Sequence, residues 1–116
     1  MTIARLSLLR EQLKPINSEM SAVTPFRGER FRAGLVAFRP LTAPDDEFIT
    51  HAASDVIAHV LDGRGRLRLS HSEVDLEPGM LCHIPAGVSH DFVAEGHSPL
   101  LLFYAVIDHE TSKAGN

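Results

Sequence analysis

The sequence has little cysteine, no long hydrophobic run and no excess of basic residues. Its single cysteine, Cys82, excludes a disulfide within the chain, which is typical of proteins from a reducing compartment. The longest apolar run, residues 100–107, is far shorter than the roughly 20 residues of a membrane helix. Residues 1–15 lack the apolar stretch and cleavage site of a secretory signal. We therefore expect a cytoplasmic protein that does not associate with a membrane.

The charge balance excludes a further class of partner. Lys and Arg number 11 and Asp and Glu number 15, which gives a formal net charge of -4. A chain with this balance lacks the basic surface that attracts nucleic acid or acidic lipid. The 116 residues are enough for one domain, and the 44% hydrophobic content is that of an ordinary globular chain.

The first part of the chain predicts one short helix. Leu6, Leu9 and Leu13 recur at helical spacing within residues 2–14, Thr2 can cap the helix, and Pro15 ends it. Residues 17–28 contain Ser, Thr and Pro and predict a loop. We therefore expect an N-terminal helix and loop in residues 1–29, one β-domain in residues 30–108 and a polar tail in residues 109–116.

The rest of the chain predicts short strands. These are residues 31–39, 48–53, 56–61, 80–84, 89–94 and 98–107, with residues 41–47 as a connection. Residues 64–77 predict the clearest hairpin, because three arginines and then three acidic residues alternate with Gly, Leu and Val. A two-residue turn at Ser70-His71 would pair Arg68 with Glu73 and leave the charged side chains on the solvent face. Many short strands with close turns indicate a closed antiparallel barrel or jelly roll.

One segment of this barrel carries a specific motif. Gly79, Pro85, Gly87 and His90 follow one another at the spacing G-x5-P-x-G-x2-H. This spacing resembles the second motif of the cupin superfamily, in which an Asn often follows at the position of Ala94. The resemblance implies an all-β fold, the cupin-type double-stranded β-helix or jelly roll, here with a short N-terminal helix.

The first cupin motif is degraded in this chain. Residues 60–63 resemble its V-L-E-G end, and counting back from Gly63 places Val56 at the Glu position. His51 then occupies the second His position and Ile49 the first. Of the four family ligands, two His and one Glu from the first motif and one His from the second, the resemblance leaves only His51 and His90.

The chain nevertheless has seven histidines, and His is the commonest metal ligand, so a metal site is still a hypothesis for this sequence. The resemblance implies one divalent transition metal, Fe, Mn, Ni or Zn, held by His51 and His90. Because catalytic sites usually have three protein ligands, a third donor would come from Asp55, turned inward by a bulge, or from His83. His59 is three positions from Val56 and is expected on the opposite face of its strand. The side chains expected to line the barrel pocket are those of Val56, Ala58, Phe92 and Tyr104.

The sequence is compatible with two functions. A metal-dependent enzyme acting on a small molecule is one, since cupins include dioxygenases, isomerases, epimerases and decarboxylases. A metal-free module that binds or senses a small molecule is the other, because Val56 and Ile49 would make the pocket more apolar. The resemblance also implies a homodimer, with residues 100–107 and Leu6, Leu9 and Leu13 as its covering surface.

Overall fold

The N-terminal helix is shorter than the leucine spacing predicts. In the computed structural model, which describes residues 1–40 and 48–109, α1 spans Leu6–Glu11. Its N-cap is Arg5, with no capping side chain, because Thr2 lies a turn too early. None of its residues is fully buried, and Leu6 is exposed.

Nine strands follow the helix in the described part of the chain. They are β1 Lys14–Pro15, β2 Met20–Arg27, β3 Phe31–Phe38, β4 Ser54–Asp62, β5 Arg64–Leu69, β6 Glu73–Leu76, β7 Leu81–Ile84, β8 His90–Glu95 and β9 Leu100–Asp108. A six-stranded sheet has the order β1-β2-β3-β9-β4-β7, and a three-stranded sheet has the order β6-β5-β8. All pairings are antiparallel. The all-β jelly-roll prediction is confirmed.

The prediction of a loop over residues 17–28 is wrong. Met20–Arg27 forms β2, which pairs with β3 along its length except for a shift between Val23 and Phe26. Its Ser, Thr and Pro residues are typical of a loop, so its composition does not predict a strand. The strand forms because β3 supplies its hydrogen-bond partners. The division into residues 1–29, 30–108 and 109–116 stays a prediction.

The predicted strand over residues 48–53 is also wrong. Only Ile49 forms an isolated bridge, with His90. The connection predicted for residues 41–47 and the tail beyond His109 lie outside the described residues.

The hairpin of β5 and β6 forms as predicted. Arg68 pairs with Glu73 and Arg66 with Asp75, which is the register of a two-residue turn. The Arg66 guanidinium contacts Glu73 at 2.9 Å and Glu95 of β8 at 2.8 Å. Its leucines point the other way, and Leu67 is buried.

The core lies between the two sheets. Val60, Leu100 and Leu102 of the larger sheet pack in one cluster with Leu67 and Phe92 of the smaller. Since successive strand residues alternate between faces, the larger sheet has an inner face toward this core and an outer face away from it. No helix in residues 1–40 or 48–109 is long and apolar enough to cross a membrane.

Candidate ligand pocket in the barrel

A cavity of about 220 Å³ opens at one end of the core. Its wall is largely apolar, with one arginine and two histidines. The lining residues are Ile16, Met20, Ala22, Arg32, Val36, Phe38, Ile49, His51, Val56, His90, Phe92, Tyr104 and Val106. A concave apolar pocket with a few polar groups is the usual form of a small-molecule site.

His90 is the most deeply placed polar group of this pocket. It begins β8 directly after the turn at Pro85 and Gly87, and the residue is only 3% exposed. Its Nδ1–H donates to the Val88 carbonyl oxygen at 3.0 Å. A carbonyl oxygen can only accept, so in the neutral ring Nε2 keeps its lone pair for a ligand.

Backbone bonds bring His51 beside His90. Ile49 and His90 exchange two N–H to carbonyl bonds, of 2.8 and 2.9 Å, and the Gly87 N–H donates to the His51 carbonyl oxygen at 2.9 Å. The two imidazole rings stack with centroids 5.7 Å apart. Gly87 has φ +86°, a conformation that favours glycine, so the second cupin motif builds the turn that holds His51.

The surroundings of His51 disfavour its charged form. Burial lowers the pKa of His51 below its ordinary value, and the neighbouring His90 and Arg32 lower it further, while Asp108 opposes the shift. A desolvated imidazole near a guanidinium accepts a proton less readily than it does in water.

Arg32 is a pocket residue that the sequence reasoning missed. It lies on the inner face of β3, because it pairs with Val106, which lines the cavity. The preceding residue, Phe31, points to the outer face. The guanidinium approaches Asp108 only to 4.0 Å, and the same Asp108 oxygen accepts the Ser54 hydroxyl at 2.6 Å. Residues 32, 36 and 38 have the even spacing of one strand face, and this spacing is a sequence signal that places Arg32 on the same face as Val36 and Phe38.

Tyr104 reaches across β3 to β2. Its hydroxyl shares a 2.6 Å hydrogen bond with that of Thr24. The strand between them carries Gly34, the register partner of Tyr104. A Cβ at Gly34 would collide with the Val23 carbonyl oxygen, because the bulged strand β2 comes close there.

The predicted pocket-lining residues divide into three that line the cavity and one that does not. Val56, Phe92 and Tyr104 line it. The Ala58 side chain points inward like that of Val56, but it does not line the cavity. It is 1% exposed and packs in the hydrophobic core. The ring of Phe92 contacts the edge of the His90 ring, with centroids 6.0 Å apart.

Asp55 and His83 lie outside the pocket. Asp55 precedes the inward Val56 in a stretch of β4 that pairs regularly with β9, so its carboxylate is on the outer face. The predicted bulge is absent there; the register shift of β4 comes later, between Val60 and Asp62. His83 pairs with the outward Ile57.

The Asp55 carboxylate joins three segments of the chain. It accepts hydrogen bonds from His83 Nε2 at 2.7 Å, from His109 Nε2 at 2.7 Å and from the Ala86 N–H at 3.0 Å. These bonds, led by that from His83, lower the pKa of Asp55 to about 2. Charge-assisted bonds of this kind favour the ionised carboxylate. We call Asp55, His83 and His109 the outer cluster.

The donors that the structure describes do not fit a resident metal. The pocket brings together His51 and His90, whereas Asp55 and His83 are on the other face of the sheet. Nowhere in residues 1–40 and 48–109 do three His, Cys, Asp or Glu side chains meet in an arrangement that could hold a metal ion. Two imidazoles are one short of the usual three protein ligands.

Comparison with known proteins identifies the family. The family model described as a cupin domain matches residues 38–107, more than half of the chain. The chain belongs to the cupin family. Within this cupin, the matched residues include His51, His90 and much of the pocket wall.

Solved structures with the same fold cover nearly the whole cupin chain. TT1209 from Thermus thermophilus is 30% identical, with a TM-score of 0.76 and coverage of 95% of this chain and 100% of that one. A predicted oxalate decarboxylase from Thermotoga maritima is 17% identical, with a TM-score of 0.77 and coverage of 92% and 99%. The cupin domain of Schizosaccharomyces pombe Cnp3 is 14% identical, with a TM-score of 0.74 and coverage of 89% and 72%. Among curated proteins no significant match was found.

Proposed function

We propose that this cupin is a metal-free module that binds a small, largely apolar molecule in the barrel pocket. The observation that carries the proposal is Val56, a buried valine at the family's Glu position, on the wall of the same cavity as His51 and His90. An apolar side chain there removes a metal ligand and adds contact area for an apolar ligand.

The size and shape of the cavity limit the ligand. A volume of about 220 Å³ is below the range of roughly 300–1,000 Å³ that accommodates drug-sized molecules. The wall comes from strands of both sheets, and the Tyr104–Thr24 bond holds β9 to β2 at its side. A pocket held by strand backbone is preformed, which reduces the entropy cost of binding.

The experiment compares the adjacent positions Val56 and Ile57, which face opposite ways. Hexanamide, cyclohexanol and benzamide are titrated into the isotope-labelled protein, and amide and methyl shifts are followed by NMR. We expect shifts at Val56, Phe92 and Val106. Val56→Phe should weaken them by taking up part of the cavity, whereas the control Ile57→Phe, on the outer face, should leave them unchanged. Binding that is equally tight in Val56→Phe and the wild-type protein, or the absence of pocket shifts with all three probes, would refute the proposal.

A metal-dependent reaction on a small molecule is the second candidate. The observation in its favour is the stacked pair of His51 and His90, with the Nε2 atom of His90 left as an acceptor. Fe, Mn, Ni or Zn at this pair would need a further donor from a substrate. Metal analysis of untagged protein and titration with Zn²⁺ and Ni²⁺ test this candidate. Stoichiometric uptake that is lost in His90→Gln supports it, and no uptake by the wild-type protein rejects it.

We also propose that a second copy of this chain covers the outer face of the six-stranded sheet. Four large apolar side chains are exposed there: Phe31, Ile57, Leu81 and Ile107, with Leu81 71% exposed. Complete burial of one such side chain contributes about 1.5–3 kcal/mol, and a face that packs on its own copy forms a two-fold dimer.

Light scattering tests this dimer. We expect a dimer at micromolar concentration for the wild-type protein and a monomer for Leu81→Lys. The control Val74→Lys, an equally simple change at an exposed valine of the other sheet, should stay dimeric. A monomeric wild-type protein would exclude the dimer.

A further inference from the structure

The polar groups of the pocket are unevenly distributed, and this distribution defines a ligand class. The inner wall around Val36, Phe38 and Val56 is apolar, whereas Arg32 and His51 are both partly exposed lining residues. Arg32 approaches Asp108 to 4.0 Å, Asp108 accepts the Ser54 hydroxyl at 2.6 Å, and Ser54 follows His51 by three residues, so Arg32 and His51 belong to the same part of the pocket. One end of a bound molecule would therefore meet a cation and the other end a hydrocarbon wall.

The Arg32 guanidinium has hydrogen-bonding capacity to offer a ligand. It carries five N–H donors in a planar fork, and its contact with Asp108 is at the outer limit of an ion pair, 4.0 Å. The Asp108 oxygen in that contact already accepts the Ser54 hydroxyl at 2.6 Å. Arg32 can therefore turn a pair of donors toward a planar anion, in the fork-to-fork geometry that suits a carboxylate.

His51 and His90 add to the polarity of that end without supplying a metal. The lowered pKa of His51 favours its neutral form, so the positive charge at this end of the pocket is that of Arg32, with Asp108 beside it at 4.0 Å. His90 is almost fully buried and its Nδ1–H donates to Val88, so in the neutral ring Nε2 is an acceptor and would face a donor on the ligand, not the carboxylate, which can only accept. With the Asp108 carboxylate 4.0 Å from Arg32, the charge at this end suits one carboxylate at most, and not a di-anion or a phosphate ester.

We propose that the pocket selects small monocarboxylates with an apolar body, with the carboxylate on Arg32 and the body against Val36, Phe38 and Val56. The inference rests on the proposed function, because it assigns a ligand class to the same pocket. It also gives Arg32 a specificity role that the cupin motifs do not contain, since Arg32 lies before the residues of either motif.

The test uses two isosteric probes and two arginine positions. Hexanoate and hexanamide have the same apolar body and differ in the charge of the head group. Dissociation constants are measured by NMR titration for the wild-type protein, Arg32→Gln, Arg32→Lys and Arg27→Gln. Arg27 is the control because it pairs with Arg32 in the sheet register but does not line this cavity.

We expect wild-type protein to bind hexanoate at least about tenfold more tightly than hexanamide, as a charge-assisted pair should. Arg32→Gln should remove that preference and leave hexanamide binding unchanged. Arg32→Lys should keep part of it, and Arg27→Gln should keep all of it. Added salt should weaken hexanoate binding and leave hexanamide binding unaffected.

The outcomes separate this inference from the proposed function. Equal binding of the two probes, or a preference that survives Arg32→Gln, overturns the carboxylate inference while the apolar pocket stands. Absence of binding by both probes, with no pocket shifts, overturns both. A preference lost equally in Arg27→Gln shows a general surface-charge effect and also overturns the inference.

Discussion

Two groups of histidines lie on opposite sides of the six-stranded sheet, and their environments differ. His51 and His90 are on the pocket side, where burial dominates and lowers the pKa of His51. His83 and His109 are on the outer side, where both donate to the Asp55 carboxylate and lower its pKa to about 2. The difference arises at adjacent residues of β4, since Asp55 faces out and Val56 faces in.

This contrast shows that a shift of one residue along a strand moves a side chain from one face of the sheet to the other. A carboxylate at residue 56 would meet the two pocket histidines, but the carboxylate of this chain is at residue 55. There it accepts hydrogen bonds from β7, from the β7–β8 turn and from the residue after β9, and so connects these three segments. The presence of His and Asp in one stretch of sequence therefore does not indicate a metal site, because neighbouring residues of a strand point to opposite faces of the sheet.

Moving the carboxylate inward gives the largest expected effect. Val56→Glu should destabilise the metal-free protein by about 3 kcal/mol, because it places a charged group in an apolar wall. Zn²⁺ should recover much of that loss, since the introduced carboxylate would complete a three-donor set with His51 and His90. Urea denaturation with and without Zn²⁺ measures both effects.

Two controls belong to this experiment. Val56→Gln should be destabilised without much recovery by Zn²⁺, because an amide is a weak ligand. Val74→Glu, at an exposed position of the smaller sheet outside the proposed dimer face, should cost less than about 1 kcal/mol. If Zn²⁺ does not stabilise Val56→Glu, the two pocket histidines are not placed as the structure describes.

Removing one histidine from each group gives the next effect. His90→Ala should cost about 2 kcal/mol, because it deletes a buried ring and leaves the Val88 carbonyl oxygen without its donor. His83→Ala should cost under about 1 kcal/mol, because its side chain is 57% exposed. Thermal and urea denaturation of both variants measure the difference, and equal losses would contradict the distinction between the faces.

A smaller loss is expected at the hydroxyl pair of the pocket wall. Tyr104→Phe should cost about 1 kcal/mol, the net contribution of one hydrogen bond. Thr24→Val should cost a similar amount, and the double variant should cost less than the sum of the two single changes. Additive losses in this double-mutant cycle would show that the two hydroxyls do not interact in solution.

The outer cluster should be visible in the acid range. The pKa of Asp55 lies below its ordinary value, so its ionised form stabilises the fold above about pH 4, and this contribution is lost as the pH falls toward 2. Asp55→Asn should therefore show a smaller loss of stability between pH 5 and pH 2 than the wild-type protein. Carboxyl NMR should also show the pKa of Asp55 rising in His83→Gln. An unchanged acid profile would mean that the cluster does not form.

Some local features of the fold follow from the sequence alone. The β5–β6 register follows from charge alternation in residues 64–77, and His90 follows from the spacing of the second motif. His59 lies on the outer face, as its odd offset from Val56 predicts. In each case the pattern and its consequence lie within a few residues of each other.

The remaining features depend on distant partners. Strand β2 needs β3 as its neighbour, and the face of His83 is set by its pairing with Ile57. His109 is half exposed, and its bond to Asp55 spans 54 residues of sequence. Composition and periodicity carry no signal for such pairings, because they describe only the local chain.

The position of β9 has a consequence for how the chain acquires its structure. Of the nine strands in the described residues, β9 is synthesised last, yet it lies between β3 and β4 within the larger sheet. Until residues 100–108 emerge from the ribosome, the facing edges of β3 and β4 cannot be joined, and the inner wall of the pocket remains open. A nascent cupin of this topology therefore exposes two unpaired strand edges until β9 appears, and truncation before Leu100 should favour aggregation over a smaller folded barrel.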